Sequence, residues 1–345
     1  MLYPMRFKKV FIEKVWGGRA FEEKLNMQLP KNKNIGESWE VSAHPNGMGI
    51  VENGPLAGKT LQEIYSEYKD KLVGKKVFEK YPDKFPLLIK YLDVNDRLSI
   101  QVHPSDEVAL KKHNEFGKSE SWYIMEASDD ATLILGMKPG VTKEKFLEKV
   151  KKNDFDGLFE EKSVKKGDFI DITPGTVHAS LKGSVIFAEI QQNSDVTYRI
   201  YDFDRIDKNG KKRELHLQDS ADVIDFGKEV EIKNTDFDES ENEKDILRKN
   251  IIEKEYYSID KIRFNGSFED VNNESMTIYS FLEGEGKIVW GENEELLVKK
   301  GETVLIPVGI KTKTIGNFEI LEHQSQQIQI QKGQVPQMFI ITVKL

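Results

Sequence analysis

The chain has no cysteine. That excludes disulfides, thiolate metal ligands and a cysteine nucleophile, so any metal must be held by nitrogen and oxygen donors. Histidine is scarce too, with six in 345 residues, so each one in a patterned context carries information. No apolar run reaches the roughly 18 residues that a membrane-spanning helix needs. The opening stretch, Met1-Leu-Tyr-Pro-Met-Arg-Phe-Lys-Lys9, lacks an extended apolar segment with a small-residue cleavage site, so no secretory signal is expected. Positive charge is not in excess. Lys and Arg number 51 against 59 Asp and Glu, a net charge of −8, which argues against non-specific nucleic-acid binding. No Gly-x-x-x-x-Gly-Lys-[Ser/Thr] run occurs, which removes a P-loop nucleotide site. A cytoplasmic protein with neither nucleic acid nor membrane as partner is the resulting expectation.

What is present is an ordinary globular composition, 38% hydrophobic and 32% charged, at a length that suits two domains. Short β-branched and aromatic segments recur at 85–92, 98–103, 121–125, 131–135, 169–172, 184–190 and 196–201. They continue at 276–282, 287–289, 303–306, 318–321 and 338–343. Many short strands between Gly and Pro turns predict a sandwich or barrel. Helices are fewer: 61–81, interrupted near Gly74; 142–152, with Thr142 as cap and lysines at its end; and 216–226. The fold class is therefore mainly β, with a few helices inserted in the N-terminal part.

The chain also repeats itself weakly. Lys165-Lys-Gly167-Asp-Phe-Ile-Asp-Ile-Thr173-Pro-Gly175 matches Lys299-Lys-Gly301-Glu-Thr-Val-Leu-Ile-Pro307-Val-Gly309. Upstream, Ile124-Met-Glu126-Ala127 resembles Phe281-Leu-Glu283-Gly284. In that frame His178 falls opposite Thr312, and Glu120 opposite Thr277. The acidic stretch within 228–255, with Asp236, Asp238, Glu239, Glu241, Glu243 and Asp245, reads as a solvated connection or excursion. It divides the chain into 1–236 and 237–345.

The first copy holds the polar cluster. In the run Arg97-Leu-Ser-Ile-Gln-Val-His-Pro104, Leu98, Ile100 and Val102 alternate with Ser99, Gln101 and His103. A strand places Gln101 and His103 on one face. With His178, presented by the turn Thr173-Pro-Gly-Thr-Val-His178, they form a candidate metal site; a satisfied core or turn-capping histidine is the alternative. If Gln101 and His103 point inward, the apolar outer face must be covered, and residues 1–85 are the expected cover. Glu189 shares the parity of Val185, Phe187 and Gln191, and a carboxylate inside an apolar strand needs a partner or a role. Arg199 shares a face with Thr197 and Tyr201, and its ordinary partner would be a carboxylate.

Gly-x5-Pro-x-Gly-x2-His resembles the second motif of the cupin family. Gly301 to Gly309 keep its spacing, and Gly167, Gly175 and His178 keep their places, with Thr173 where the motif has Pro. The resemblance implies two tandem cupin jelly-roll units. Leu98-Ser-Ile-Gln-Val-His-Pro104, Gly117-Lys-Ser-Glu-Ser-Trp-Tyr123, Pro174-Gly-Thr-Val-His-Ala179 and Ser194-Asp-Val-Thr-Tyr-Arg-Ile-Tyr-Asp202 together resemble the class I, cupin-type mannose-6-phosphate isomerases of short bacterial form. Ile35-Gly-Glu-Ser-Trp-Glu-Val-Ser42 resembles that family's N-terminal segment. The likeness runs from about Lys14 to Phe226 and is looser beyond.

The resemblance implies an enzyme that interconverts mannose 6-phosphate and fructose 6-phosphate through an enediol(ate). It implies Gln101, His103, Glu120 and His178 as ligands of one metal per chain. Two imidazoles, a carboxylate and an amide suit Zn²⁺, and Mn²⁺, Co²⁺ or Fe²⁺ also fit such donors. It also places Arg199, Glu189, Lys118 and Lys90 at the active site. Arg199, Lys118 and Lys90 would meet the sugar phosphate, and the base is left between Glu189 and Lys118. Under that reading 1–236 is the catalytic domain and 237–345 a degenerate cupin without ligands. An oxygenase-type metal cupin and a sugar-binding bicupin are the competing readings, and oligomeric state stays open.

Overall fold

The computed structural model describes residues 1–206, 210–238, 244–292, 294–316, 319–320, 330–331 and 335–343. Positions 318 and 321 of an expected strand, His323, and the acidic positions 239, 241 and 243 lie outside the described residues; between the first two, Glu319–Ile320 is a strand. The chain forms two compact units. The first comprises Phe11–Trp39 and Leu87–Asn234; the second comprises Met1–Val10, Glu40–Pro86 and Thr235–Leu345. A division at 236/237 would put residues 1–10 and 40–86 with the first unit. They belong to the second because Met5–Lys8 pairs with Thr303–Ile306, Met5 opposite Leu305, and with Ile50–Val51 on its other side.

Each unit is a pair of antiparallel sheets. In the first, a seven-stranded sheet has Glu120–Ala127 between Asp168–Ile172 and Val185–Gln192, with Leu87–Val94 next. A five-stranded sheet runs Tyr198–Tyr201, Ile100–Val102, His178–Lys182, Thr132–Met137, Phe159–Ser163. Period-two alternation sends Trp122, Ile124, Ile170, Phe187, Leu133 and Leu135 into one shared core. At roughly 1.5–3 kcal/mol per buried large apolar side chain, this interior is the main source of the unit's stability.

The outer face of the smaller sheet has its own core, as the alternation requires. Ile100, Val102, Ala179 and Ile200 are buried there against Phe146 and Val150 of the helix Lys143–Lys151 and Ala221 of the helix Leu217–Val223. The cover is thus these two helices rather than residues 1–85. Thr142 opens the longer helix by accepting the Lys145 N–H at 3.3 Å. Phe146→Ala would cost about 3–5 kcal/mol. Leu98 departs from the alternation. It precedes the strand, its N–H bonds Ser180 O, and its side chain joins the inner core.

The segment expected as one helix at 61–81 is three: Leu61–Tyr68, Asp70–Val73 and Lys75–Lys80. Gly74 (φ 95°) makes one break as expected; Lys69 (φ 49°) makes the other. The stretch 228–255 is more than a connection. Ile232–Asn234 pairs with Asp168–Ile172, and Ile246–Glu253 pairs with Tyr257–Phe264.

The second unit repeats the plan. Thr277–Glu283 lies between Thr303–Ile306 and Gln337–Val343, and the smaller sheet runs Ser267–Asp270, Thr312–Gly316, Glu285–Trp290, Glu294–Lys299. The sequence repeat recurs in the hydrogen bonds. Gly167 N–H bonds Ile124 O at 2.9 Å, and Gly301 N–H bonds Phe281 O at 2.9 Å.

Candidate metal centre

Three strands deliver the polar cluster. Gln101 lies in Ile100–Val102, directly opposite His178, the first residue of His178–Lys182. His103 follows the first of these strands. Gly175 N–H bonds His103 O at 3.0 Å, which ties the two histidine segments together. Only glycine suits that turn: φ is 85°, and a Cβ there would lie 2.9 Å from Val223 O. From the facing sheet Glu120, the first residue of Glu120–Ala127, sits opposite Ile172 and Gln191.

The donor atoms converge. His178 Nε2 is 3.3 Å from Glu120 Oε1, His103 Nε2 is 3.6 Å from Glu120 Oε2, and Gln101 Nε2 is 3.2 Å from His178 Nε2. Ligand atoms of His103, Glu120 and His178 all lie within 4.8 Å of one another, and all three residues are buried. Donors about 2.1 Å from a tetrahedral cation would be roughly 3.4 Å apart, so the spacing fits such an ion. The tautomers fit as well. His103 Nδ1 donates to Val196 O at 2.9 Å and His178 Nδ1 donates to Thr176 O at 2.9 Å, because a carbonyl can only accept. Each Nε2 is then a bare lone pair. His103 Nε2 is buried with no hydrogen-bond partner among the described residues, an atom that a cation would satisfy.

Burial keeps both imidazoles neutral. It pushes His178 down to about 4, and it holds His103 well below the usual histidine range, with the Lys118 ammonium adding to the effect.

Beside the donors lies a ring of buried ions. Glu189 Oε1 is 3.5 Å from both Lys90 Nζ and Lys118 Nζ, and Glu189 Oε2 accepts the Trp122 indole N–H at 3.1 Å. Lys118 Nζ is also 2.8 Å from Glu120 Oε2. Burial opposes the Lys118 charge, but Glu120 and Glu189 outweigh it and hold the ammonium above the usual lysine range. Lys90 Nζ sits 4.6 Å from the Trp39 ring centre, and the Trp39 indole donates to Glu37 Oε2 at 2.7 Å. Glu37 pairs with Lys14 at 2.8 Å. Burial pushes the Glu37 carboxyl up, yet Lys90 and Lys14 together hold it below the usual range.

Arg199 stands opposite Gln101, on the far side from His178. It forms no ion pair among the described residues. One guanidinium nitrogen donates to Glu214 O at 3.1 Å, while Nε is buried without a partner. His216 Nδ1 accepts the Arg199 backbone N–H at 3.1 Å. The remaining histidines are engaged elsewhere: His44 Nδ1 accepts Asn46 N–H at 3.2 Å, and His113 Nε2 meets Tyr198 Oη at 2.8 Å.

All eight residues singled out from sequence therefore fall in one unit. Gln101, His103, Glu120 and His178 share a centre, Glu189 links Lys118 to Lys90, and Arg199 stands beside Gln101 in register. Glu37, Trp39 and Trp122 were not singled out. Trp122 touches both parts of the site, meeting the His178 ring edge-on with centroids 5.3 Å apart while its N–H holds Glu189. The signal for Glu37 and Trp39 was their shared parity in the strand Ile35–Val41.

Residues 5–129 match the family described as phosphomannose isomerase type I, catalytic domain, and residues 248–320 match the mannose-6-phosphate isomerase cupin domain. Mannose-6-phosphate isomerase ManA of Bacillus subtilis is 39% identical over 308 residues, 89% of this chain and 94% of that protein. Mannose-6-phosphate isomerase of Streptococcus mutans is 35% identical over 328 residues, 95% of this chain and 100% of that protein. The crystal structure of the Bacillus subtilis mannose 6-phosphate isomerase superposes with a TM-score of 0.81 at 34% identity, covering 98% of this chain and 99% of that one. Mannose 6-phosphate isomerase from Salmonella typhimurium, in its apo form, at 15% identity and a TM-score of 0.71, shares the fold. With its mainly β fold, its buried His–Glu–His donor set and these relatives over most of its length, the chain belongs to the type I mannose-6-phosphate isomerase family.

Proposed function

We propose that the first unit interconverts mannose 6-phosphate and fructose 6-phosphate, with one zinc ion per chain held by Gln101, His103, Glu120 and His178. The observation that carries this reading is the pair of bare Nε2 atoms facing Glu120, one of them with no other partner. When bound, a divalent cation supplies Lewis-acid polarisation of sugar oxygens as charge develops on them. Gln101 reaches the same point; turning its amide end over would present Oε1 in place of Nε2. Catalysis belongs to the first unit in this reading, and the second contributes no ligand.

Proton transfer between C1 and C2 needs a group that takes a carbon-bound proton and returns it to the neighbouring carbon. Glu189 suits that role better than Lys118. Lys118 is held as an ammonium by two carboxylates and is a donor, fit to hydrogen-bond a developing oxyanion. The Trp122 N–H engages Glu189 Oε2, so the carboxylate keeps a fixed orientation while Oε1 faces the two lysines. Arg199, whose Nε has no partner and which pairs with no carboxylate among the described residues, would fork onto substrate oxygens, and Lys90 would be the second cation for the phosphate. A sugar phosphate is an anion that does not cross a bilayer unaided, so a cytoplasmic location goes with the substrate.

The test is a coupled assay of fructose 6-phosphate formation from mannose 6-phosphate, before and after chelation and with each divalent metal returned in turn. Turnover that vanishes on chelation and returns best with zinc is the expected result. Turnover indifferent to thorough chelation would overturn the metal reading.

A further inference from the structure

The second unit has its own opening. A cavity of about 900 Å³, lined in part by Tyr3, Trp290, Glu294, Gly309 and Thr312, lies wholly within that unit. This volume is in the range of small-molecule sites. Its place in the fold is informative. Across the smaller sheet, register aligns Asp270 with Thr312, Thr312 with Trp290, and Trp290 with Glu294. In the first unit the corresponding row aligns Gln101 with His178 and His178 with Leu135. The cavity therefore opens at the end of the sheet that carries Gln101 and His178 in the first unit; Asp270 and Thr312 stand in their places, Trp290 stands in that of Leu135, and Glu294 lies beyond it.

Their arrangement is polarised. Tyr279 Oη donates to Asp270 Oδ2 at 2.9 Å and lies 3.0 Å from Thr312 Oγ1. The phenol proton is committed to Asp270, so Thr312 supplies the hydrogen in the second bond and its lone pairs are left as acceptors toward the cavity. Trp290 packs its indole on the unit's core, and its N–H has no hydrogen-bond partner among the described residues. Opposite it, Tyr3 lies nearly parallel, ring centres 6.5 Å apart and 20° between planes. Tyr3 is rigidly set: its hydroxyl donates to Asn53 O at 2.7 Å and accepts Leu56 N–H at 2.8 Å, and Gly54 leaves no room for a Cβ beside the ring.

From these observations we infer that the mouth of the second jelly roll binds a pyranose ring without catalysis. The C–H face of the sugar packs on Trp290, and its hydroxyls bond Thr312 Oγ1, Glu294 and the indole N–H. A pyranose fits because it has an apolar face for the aromatic wall and ring hydroxyls that must be paired when desolvated. Lys311 and Lys313 at the rim extend the same chemistry to a phosphorylated sugar. The inference does not rest on the catalytic reading and survives its failure.

The test uses a closed-ring glycoside that cannot be isomerised. Methyl α-D-mannopyranoside and its 6-phosphate are titrated calorimetrically into full-length protein, into Trp290→Ala and into Glu294→Gln. The expected result is binding of at least one probe with Kd in about the millimolar range, weakened tenfold or more by Trp290→Ala and by Glu294→Gln, with isomerase turnover retained. Binding of both probes assigns the ring as sufficient. Binding of the phosphate alone, lost in Lys311→Ala/Lys313→Ala, assigns the rim lysines as well. If Trp290→Ala fails to fold, Trp290→Phe and Glu294→Gln carry the comparison. Absence of binding by either probe, or isotherms unchanged by these variants, overturns the inference.

Discussion

The two jelly rolls part at the four positions that carry the first unit's candidate donors. Gln101, His103, Glu120 and His178 in the first unit stand where Asp270, Asn272, Thr277 and Thr312 stand in the second. The register supports each pairing. Gln101 lies opposite His178 as Asp270 lies opposite Thr312, and Glu120 and Thr277 each begin an inner strand of the larger sheet. Gly175 N–H bonds His103 O as Gly309 N–H bonds Asn272 O. The backbone is conserved while the chemistry is not. Asn272 is occupied with its own turn, accepting N–H groups of Glu274 and Ser275 at 3.0 and 3.1 Å. Tyr279, at the position of Trp122, joins Asp270 to Thr312. A jelly roll is thus a frame that aims the ends of certain strands inward, and the residues placed there decide whether the interior holds bare donors or a satisfied network. Among the described residues the second unit also lacks any strand beyond Ser267–Asp270 to match Tyr198–Tyr201, which carries Arg199.

The hardest way to break this comparison is to make the same truncation in each copy. His178→Ala is expected to remove bound metal and lower turnover by about a thousandfold or more, measured by metal analysis and the coupled assay. Thr312→Ala removes a hydrogen bond to Tyr279 and the inferred sugar contact, costs about 1 kcal/mol of stability and leaves turnover within about twofold. Equal losses of activity in the two variants would show that the copies share the chemistry after all. Next in size, Arg199→Ala is expected to keep the metal and lower turnover by about 10²–10³, as for loss of one preorganised charged contact. Smaller again is Trp122→Phe. It keeps a ring against His178 and Phe187 and removes only the N–H to Glu189, so metal content holds and kcat falls by about tenfold to a hundredfold. Unchanged kcat in that variant would deny Glu189 a fixed orientation as its role.

Much of the first unit was legible because it is local. Alternation in 97–104 placed Gln101 on the inner face and Ile100 and Val102 on the outer one, and a run of Gly and Pro spacings predicted how His178 is presented. What covers that outer face was misread, since strand alternation says only that a cover is needed. The amphipathic stretches 142–152 and 216–226 were the better candidates, with Phe146, Val150 and Ala221 on their buried faces. Leu98 was misplaced because the pattern was extended past the start of the strand. Trp122 lies in the core, and its N–H has a second task that hydrophobicity does not reveal. The assignment of residues 1–10 and 40–86 to the second unit was beyond reach, because it depends on pairing between Met5 and Leu305, some three hundred positions apart.

The subtlest expected difference is in pH dependence, at the acid end, where the first unit of the metal-free protein should weaken before the second. In the first, His178 has an ordinary value of 6.5 and is held at about 4 by burial, and His103 lies well below its ordinary value for the same reason. Between 6.5 and about 4 the unfolded chain binds protons that the fold refuses, so stability present above pH 6.5 is lost as pH falls toward 4. Asp93 works against this. Burial raises it to about 6 from 3.8, so the fold keeps a proton there and gains as pH falls through that window. Two depressed histidines outweigh one raised carboxyl, and the first unit is expected to be acid-labile. In the second unit the buried Tyr279 phenol is held well above its ordinary 10, first by burial and then by Asp270. Its contribution is intact below pH 10 and lost above it, so that unit is expected to be alkali-labile. Hydrogen exchange in Glu120–Ala127 and Thr277–Glu283, corrected for intrinsic rates, reads both at once. The first strand should lose protection from pH 7 to 5 and the second from pH 9 to 11. Parallel loss at acid pH would mean that the two interiors answer to some group they share rather than to the residues that distinguish them.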